Sequence, residues 1–171
     1  MPVVNNVTRF LDSRKVKYQA FETPAEKLGA EETAQFLGLA VEIVFKTIVV
    51  TRAAPKKPIL AVVPGSSHVD LKLLAAALGE KKVHLPTERE AEQLTGLQAG
   101  GISPLALVNK GFQVVVDSAA KEHTLIHISG GQRGLNIRLA ADDLIRLTNA
   151  RLASICQESN SPANSSLTYT E

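Results

Sequence analysis

The segment Phe45-Lys46-Thr47-Ile48-Val49-Val50 has a strong strand pattern. It is rich in β-branched residues, which pack well on a pleated sheet, and therefore predicts a strand. The apolar run from Pro58 to Val63 predicts a second strand that returns beside it. Between them, residues 52–58 contain two prolines and the pair Lys56-Lys57, so the connection is expected to be a basic, hairpin-like loop.

The rest of the chain alternates irregularly between helical and extended patterns. Further strands are predicted over residues 17–21, 112–117, 124–129 and 135–139, with a short edge strand over 153–156. Helices are predicted over residues 4–15, 30–37, 71–78, 87–94 and 142–149. Because the helices do not separate the strands one by one, the order predicts an α+β domain. We expect a mixed, mainly antiparallel sheet, curled toward a barrel, with helices around it.

Length and composition indicate one globular domain over residues 1–156, followed by a Ser- and Asn-rich tail over 157–171 that is expected to be disordered. No apolar run reaches the roughly 18 residues of a membrane span, and no secretory signal is visible. The single cysteine, Cys156, excludes an internal disulfide. These features together predict a cytoplasmic protein.

The charge of the chain permits contact with nucleic acid without requiring it. The formal net charge is +2, and the tail holds two of the 17 acids but none of the 19 bases. The predicted domain is therefore more basic than the whole chain. A modest excess of this kind is compatible with a phosphate-bearing partner.

The motifs of the common catalytic centres are missing from the sequence. There is no H-E-x-x-H, G-x-S-x-G, Walker A or dinucleotide motif, and the four histidines have no cysteine cluster beside them. We therefore expect no metal site and no cofactor. His127 lies in a predicted strand and is expected to be structural, and Cys156 is expected to fill space as a small apolar residue.

Three less usual features remain. The first is Lys46, which shares a strand face with Ile48 and Val50 and so needs a partner, a function or a path to solvent. The second is the glycine-rich segment 96–104, whose backbone N–H groups could hold an oxyanion but which could equally be a tight connection. The third is Ser129-Gly130-Gly131-Gln132-Arg133-Gly134-Leu135, a hairpin turn in which Ser129 can hydrogen-bond and Arg133 can meet a phosphate.

In combination these segments resemble the YbaK family of aminoacyl-tRNA deacylases, which is related to the editing domain inserted in bacterial prolyl-tRNA synthetases. The resemblance rests on Phe45-Lys46-Thr47, on Gly100-Gly101-Ile102-Ser103-Pro104-Leu105 and on the segment 129–135, in that order. It covers the chain from about Val4 to about Ile155. It implies removal of a wrongly attached amino acid from tRNA, chiefly cysteine from proline tRNA, with aminoacyl-tRNA and prolyl-tRNA synthetase as partners.

The resemblance also implies roles for individual residues. Lys46 matches the essential lysine that grips the acceptor end, and Gly101 matches the loop position whose backbone contacts the aminoacyl group. Substrate contacts are implied for a wider set: Phe21, Thr47, Gly100, Ile102, Ser103, Pro104, Ser129, Gly130, Gly131, Arg133 and Asn136. Asn136 stands where some relatives carry an acid, which argues against a carboxylate base there, and Ala106 stands where relatives often continue with glycine.

The family resemblance explains the absence of a catalytic triad, since a cysteinyl ester brings its own thiol nucleophile. Proximity of this kind can supply roughly 7–11 kcal/mol of barrier lowering in favourable cases. Two alternatives stay open at this point. One is a deacylase for alanine or serine that uses water, and the other is a non-catalytic module that binds tRNA or a synthetase.

Overall fold

The computed structural model describes residues 3–157. Within that range the chain forms five α-helices, with bounds α1 Asn6–Ser13, α2 Ala30–Leu37, α3 Leu71–Leu78, α4 Glu88–Thr95 and α5 Ala141–Thr148. It forms seven strands, with bounds β1 Tyr18–Glu22, β2 Phe45–Val50, β3 Ile59–Pro64, β4 Gln113–Asp117, β5 Leu125–Ser129, β6 Leu135–Ala140 and β7 Arg151–Ala153. The α+β class predicted from the sequence is confirmed.

Local sequence signals set the helix boundaries. The side chain of Asp70 accepts the N–H groups of the first turn of α3, and Gly79 ends that helix in the left-handed conformation. Thr87 and Glu90 form a reciprocal capping box at the start of α4, which Gly96 ends in the same way. Both helices therefore begin at the predicted caps; α3 has the predicted bounds, and α4 lies one residue later than the predicted 87–94.

The strands form two sheets rather than one. A three-stranded antiparallel sheet has the order β1-β6-β5, and a four-stranded mixed sheet has the order β2-β3-β4-β7. In the second sheet β2 pairs antiparallel with β3, whereas β4 is parallel to both β3 and β7. The predicted single curled, barrel-like sheet is therefore wrong. Within the described residues the two sheets are joined by one isolated bridge, between Val44 and His127, and one bridge does not make them a continuous sheet.

The last strand lies earlier than predicted. The sequence indicated a strand over residues 153–156, but β7 ends at Ala153 and Cys156 forms an isolated bridge with Val69. The reason is that the side chain of Asp117 accepts the N–H of Ile155, 2.9 Å away. The N–H of Ile155 is thus bound by a side chain, while its carbonyl oxygen accepts the N–H of Asp70 at 2.7 Å, so this segment leaves β7 and pairs briefly with residues 68–70.

Two apolar layers lie on the two faces of the four-stranded sheet. The central strand β3 is buried on both faces, and its residues alternate between the layers. Leu60 and Val62 face the layer shared with the three-stranded sheet, α1 and α5. Ile59, Ala61 and Val63 face the smaller layer beneath α3. The edge strand β2 is positioned between these layers and leaves one side open.

The end of the folded region and the predicted tail meet at Gln157. The N–H of Gln157 donates to the carbonyl oxygen of His68 at 3.1 Å. The remainder of the predicted disordered tail lies outside the described residues. None of the helices in residues 3–157 combines the length and apolar character needed to cross a membrane.

Candidate active site

A cavity of about 400 Å³ lies along the open edge of β2. Its walls come from both sheets, from the loop before α2, from the start of α4 and from the glycine-rich loop that follows α4. Six residues predicted as site residues line it, namely Lys46, Thr47, Gly100, Ile102, Ser129 and Asn136. The structure thus brings together one or more members of each of the three sequence motifs.

The strand edge itself contributes main-chain groups to the cavity. In an antiparallel pair, the N–H and C=O groups of alternate residues point toward the partner strand. The carbonyl of Val44 accepts from Gly65 on the β3 side, whereas Thr51 bonds His84 on the opposite side. Because the direction alternates along β2 between these two residues, the backbone groups of Thr47 and Val49 point away from β3. They face the cavity, which both residues line.

Lys46 lies on the face of β2 that belongs to the smaller apolar layer, with Ile48 and Val50. Its ammonium lies 3.4 Å from the carbonyl oxygen of Gly65 and makes no short ion pair within the described residues. Burial lowers the pKa of Lys46, and the negative charge of Glu31 opposes that shift. The side chain is therefore a partly desolvated cation, suited to a ligand that brings negative charge.

Gly65 holds the Lys46 side of the site in place, a role that the sequence did not reveal. A Cβ atom at this position would lie 2.6 Å from the Cβ of Ala30 and 2.7 Å from the carbonyl oxygen of Val44. Only glycine allows the chain leaving β3 to pass this closely between α2 and the start of β2. A glycine directly after a strand predicts a turn, but a close approach between distant segments leaves no local signal.

The glycine-rich loop has two unbonded backbone donors in residues that line the cavity. Gly100 has a left-handed backbone with φ of +88° and lines the cavity beside Ile102. Within the described residues, the N–H groups of Gly100 and Ile102 have no hydrogen-bond acceptor. The N–H of Gly101, by contrast, donates to the carbonyl oxygen of Gln98 at 2.8 Å. The donor expected at Gly101 is thus engaged in a turn, and the available donors are its two neighbours.

Gly101 instead joins the glycine-rich loop to the turn between β5 and β6. A Cβ atom there would lie 2.8 Å from the Cα of Gln132 and 3.0 Å from the nitrogen of Arg133. The same two loops are joined by Arg133, whose Nε donates to the carbonyl oxygen of Ala99 at 2.8 Å. Arg133 therefore anchors the loop, and it is not among the residues that line the cavity.

Ser103 and Pro104 lie behind the cavity wall. Ser103 is fully buried, and its Oγ accepts the N–H of Leu105 at 3.2 Å. Pro104 is buried at the first position of the short 3-10 helix that follows. Both residues shape the end of the glycine-rich loop, and neither lines the cavity.

The turn between β5 and β6 reaches the cavity through Ser129. Its Oγ accepts the N–H of Gly131 at 3.3 Å, which fixes the side chain at the start of the turn. A Cβ at Gly130 would lie 2.5 Å from the side chain of Leu135, and one at Gly131 would lie 2.7 Å from that of Val7. These two glycines, absent from the cavity wall, permit close packing beneath it.

Asn136 connects the cavity to a buried histidine. Its Oδ1 lies 2.8 Å from Nδ1 of His127, and because an amide oxygen only accepts, the ring carries its proton on Nδ1. Burial lowers the pKa of His127, while the bond to Asn136 opposes that shift. The ring centroid of Phe21 lies 5.4 Å from that of His127. Phe21 therefore supports this pair and does not line the cavity.

Cys156 lies near the Lys46 side of the site but is poorly suited to act as a nucleophile. Burial, with the neighbouring carboxylate of Asp117, raises the pKa of its thiol to about 12. The thiolate is the reactive form of cysteine, so this thiol is inert near neutral pH. In residues 3–157 no three His, Cys, Asp or Glu side chains gather into a group that could hold a metal ion.

Sequence reasoning missed one part of the cavity wall. It consists of Leu85, Pro86, Thr87 and Glu88 at the start of α4, and of Glu26 in the loop before α2. The side chain of Leu85 is exposed at this wall. The capping box at Thr87 predicts the start of the helix, but nothing local predicts that this end of it faces β2.

Comparisons with known proteins identify the family of this chain. A model of the aminoacyl-tRNA editing domain matches residues 24–147. A protein of Enterococcus faecalis named as a Cys-tRNA(Pro)/Cys-tRNA(Cys) deacylase, EbsC, is 36% identical over 152 residues, which cover 88% of this chain and 92% of that protein. The proline--tRNA ligase of Thermodesulfovibrio yellowstonii is 28% identical over 72% of this chain, which corresponds to 20% of the ligase. A solved structure described as a trans-editing enzyme for prolyl tRNA synthetase superposes with a TM-score of 0.75 at 25% identity, covering 91% of this chain and 99% of that one.

Proposed function

The chain belongs to the family of aminoacyl-tRNA editing domains, and we propose that it removes cysteine in trans from Cys-tRNA(Pro) and also from Cys-tRNA(Cys). The observation that carries the proposal is the shared cavity of Lys46 and the unbonded N–H groups of Gly100 and Ile102. A fixed cation and backbone donors suit an ester between a small amino acid and a ribose. Its relatives' names supply the amino acid and the tRNA.

Within the described residues, no hydrogen bond joins the hydroxyl of Thr47 or Ser129 to a base that would activate it, so we assign the role of nucleophile to the substrate thiol. The sulfur attacks the ester carbonyl, the bond from the carbonyl carbon to the ribose oxygen breaks, and the ribose oxygen takes up the proton released by the thiol. The resulting cysteine thiolactone then reacts with water to give free cysteine. No oxidant, metal or cofactor enters this sequence, and the protein contributes orientation and charge stabilisation.

We assign the oxyanion of the attacked carbonyl to the N–H groups of Gly100 and Ile102. Preorganised backbone donors act strongly in a site from which water is excluded, and losing one such donor typically costs about 3–4 kcal/mol in the transition state. Gly101 serves this arrangement by packing against Gln132 and Arg133. Its own N–H is already bonded to Gln98, so it acts by positioning its neighbours.

Lys46 binds the ribose or the terminal phosphate through its charge. Burial lowers its pKa because the ammonium is partly desolvated, and a bound phosphate would favour the charged form again. Its contact with Gly65 is long, at 3.4 Å, so the ammonium can exchange that carbonyl for a better acceptor on the substrate.

Prolyl-tRNA synthetase is the partner we propose for tRNA selection. Part of that enzyme in other organisms is similar to this chain, so the two would act on the same charged tRNA. The place of action would then be the cytoplasm.

The proposal is tested by measuring deacylation of Cys-tRNA(Pro) by the wild type and by Lys46→Ala, with Lys46→Arg as the matched control that keeps the charge. We expect kcat/KM to fall by about a hundredfold or more in Lys46→Ala, the usual scale for a lost electrostatic contact, and to survive in part in Lys46→Arg. Unchanged turnover by Lys46→Ala would remove Lys46 from the mechanism.

The nucleophile is tested with a panel of tRNAs carrying cysteine, serine, alanine or proline. Cleavage of the cysteinyl ester alone supports attack by the substrate thiol. Equal cleavage of the seryl and alanyl esters would show that water is the nucleophile, and tRNA binding without any ester cleavage would identify a binding module.

A further inference from the structure

Two short segments account for the excess of positive over negative charge in residues 3–157. Residues 51–58 and 80–84 together hold five basic side chains and one carboxylate, that of Glu80. Elsewhere in residues 3–157 basic and acidic side chains are equal in number. The entire excess charge of the described chain therefore comes from these two segments.

The fold places the two segments side by side. The backbones of Thr51 and His84 exchange two hydrogen bonds, of 2.7 and 2.9 Å. Lys56 and Glu80 form an ion pair of 2.7 Å between the same segments. The exposed lysines Lys56, Lys57, Lys81 and Lys82 thus form one surface, which we call the basic ridge.

Part of this charge is used to hold the ridge together. Arg52 is only 10% exposed and lies 3.5 Å from Glu80, and its Nε donates to the carbonyl oxygen of Lys57. Glu80 thus offsets one of its two basic neighbours, Arg52 and Lys56. In the part of the chain that the structure describes, Lys81 and Lys82 form no ion pair, so their charges face solvent uncompensated.

The basic ridge leads directly to the mouth of the cavity. Lys82 is three residues before Leu85, which lines the cavity with Pro86 and Thr87. Because consecutive Cα atoms are about 3.8 Å apart, the Cα atoms of Lys82 and Leu85 are separated by at most about 11 Å. A polyanion bound on the ridge would therefore need to extend only about 11 Å past Lys82 for its terminal group to lie at Leu85, on the cavity wall.

We propose that the basic ridge binds the phosphates of the acceptor stem while the aminoacylated end of the same tRNA enters the cavity. This inference rests on the proposed function and adds the surface that recognises the body of the substrate. Lysines recognise phosphate as point charges, so the contact provides affinity and orientation without reading base sequence. Such binding weakens steeply with salt, because each contact releases counterions.

The test compares the wild type with Lys81→Gln/Lys82→Gln, and uses Lys15→Gln/Lys17→Gln as a control with the same change in charge. Lys15 and Lys17 are exposed, and Lys17 precedes the cavity residue Thr23 by six residues of extended chain, about 20 Å. Two substrates are used for each protein, Cys-tRNA(Pro) and a cysteinylated CCA trinucleotide that lacks the stem. Affinity for uncharged tRNA is measured in parallel by fluorescence anisotropy over a range of salt concentrations.

We expect Lys81→Gln/Lys82→Gln to lower both the affinity for tRNA and kcat/KM on Cys-tRNA(Pro) about tenfold at low salt, and to reduce the slope of log K against log salt by about 2. Cleavage of the trinucleotide and the behaviour of the control should stay at wild-type values. Unchanged tRNA affinity and salt slope, or an equal loss on both substrates, would overturn the proposal.

These outcomes are separate from the failure of the proposed function. If the wild type cleaves neither substrate, the deacylase proposal fails, while the anisotropy measurement still decides whether the basic ridge binds tRNA. If the wild type cleaves both substrates and the ridge variant binds tRNA normally, only the ridge proposal fails.

Discussion

Replacing Gly101 by alanine adds one methyl group at the contact between the glycine-rich loop and the turn that carries Gln132 and Arg133. The new Cβ would lie 2.8 Å from the Cα of Gln132, whereas ordinary contacts begin at 3.4 Å. The two loops must therefore separate by about 0.6 Å, because both sides of the contact are backbone and cannot rotate away. Overpacking of this kind typically costs about 1–3 kcal/mol.

The catalytic effect follows from the same displacement. A misplacement of about 1 Å at a catalytic site can cost a hundredfold in rate, so a shift of about 0.6 Å is expected to lower kcat/KM on the order of tenfold. The N–H of residue 101 is retained in the variant. Any loss must therefore come from movement of the neighbouring donors, Gly100 and Ile102.

The assay combines deacylation of Cys-tRNA(Pro) with thermal unfolding, and its control is Gly96→Ala in the same loop. Gly96 has a φ of +73°, and a Cβ atom added there would have no heavy atom within 4 Å, so alanine suffers backbone strain of about 1–2 kcal/mol without a clash. Both variants should unfold at lower temperature, but only Gly101→Ala should lose activity. Wild-type rate and Tm in Gly101→Ala would refute the tight contact, and equal activity losses in both variants would refute positioning.

Two further predictions concern titratable groups. Cys156→Ser should leave kcat/KM on Cys-tRNA(Pro) unchanged, since the raised pKa of about 12 keeps this thiol neutral. Because Cys156 is the only cysteine of the chain, a large loss in a variant that unfolds at the wild-type temperature would mean that the protein supplies the attacking sulfur. The pKa of His127 is lowered by burial, so its NMR titration should have a midpoint below the usual value of about 6.5. Between the folded-state pKa and about 6.5, the unfolded chain binds more protons at His127 than the folded chain does. The free energy of unfolding should therefore fall as the pH is lowered from about 6.5 toward the folded-state pKa. A His127 midpoint at or above about 6.5 would contradict this prediction.

Sequence patterns predicted the elements of this fold better than their assembly. The strand at Phe45–Val50, the cap at Asp70 and the capping box at Thr87 are local signals, and the structure confirms each of them. The curled single sheet was wrong because strand pairing between distant segments depends on packing, which no short pattern encodes. The same limit applies to β7, because beyond Ala153 the N–H of Ile155 binds the side chain of Asp117 and its carbonyl oxygen binds the backbone of Asp70.

The candidate site shows the same division. Lys46, Thr47 and Gly100 were predicted from motifs and meet at one cavity. The engagement of the Gly101 N–H and the tight passage at Gly65 could not be predicted, because both depend on distances between backbone atoms.

The division of the cavity between two sheets has a consequence for how the protein responds to its ligand. Lys46 and Thr47 belong to one sheet, Ser129 and Asn136 to the other, and within the described residues the sheets share one bridge, at Val44 and His127. A bound ester would contact both sheets at once and would hold them together where one backbone bridge joins them. A non-cleavable analogue at about a hundred times its Kd would then add about 2.7 kcal/mol to the free energy of unfolding. Hydrogen exchange should slow first at the boundary between the two sheets.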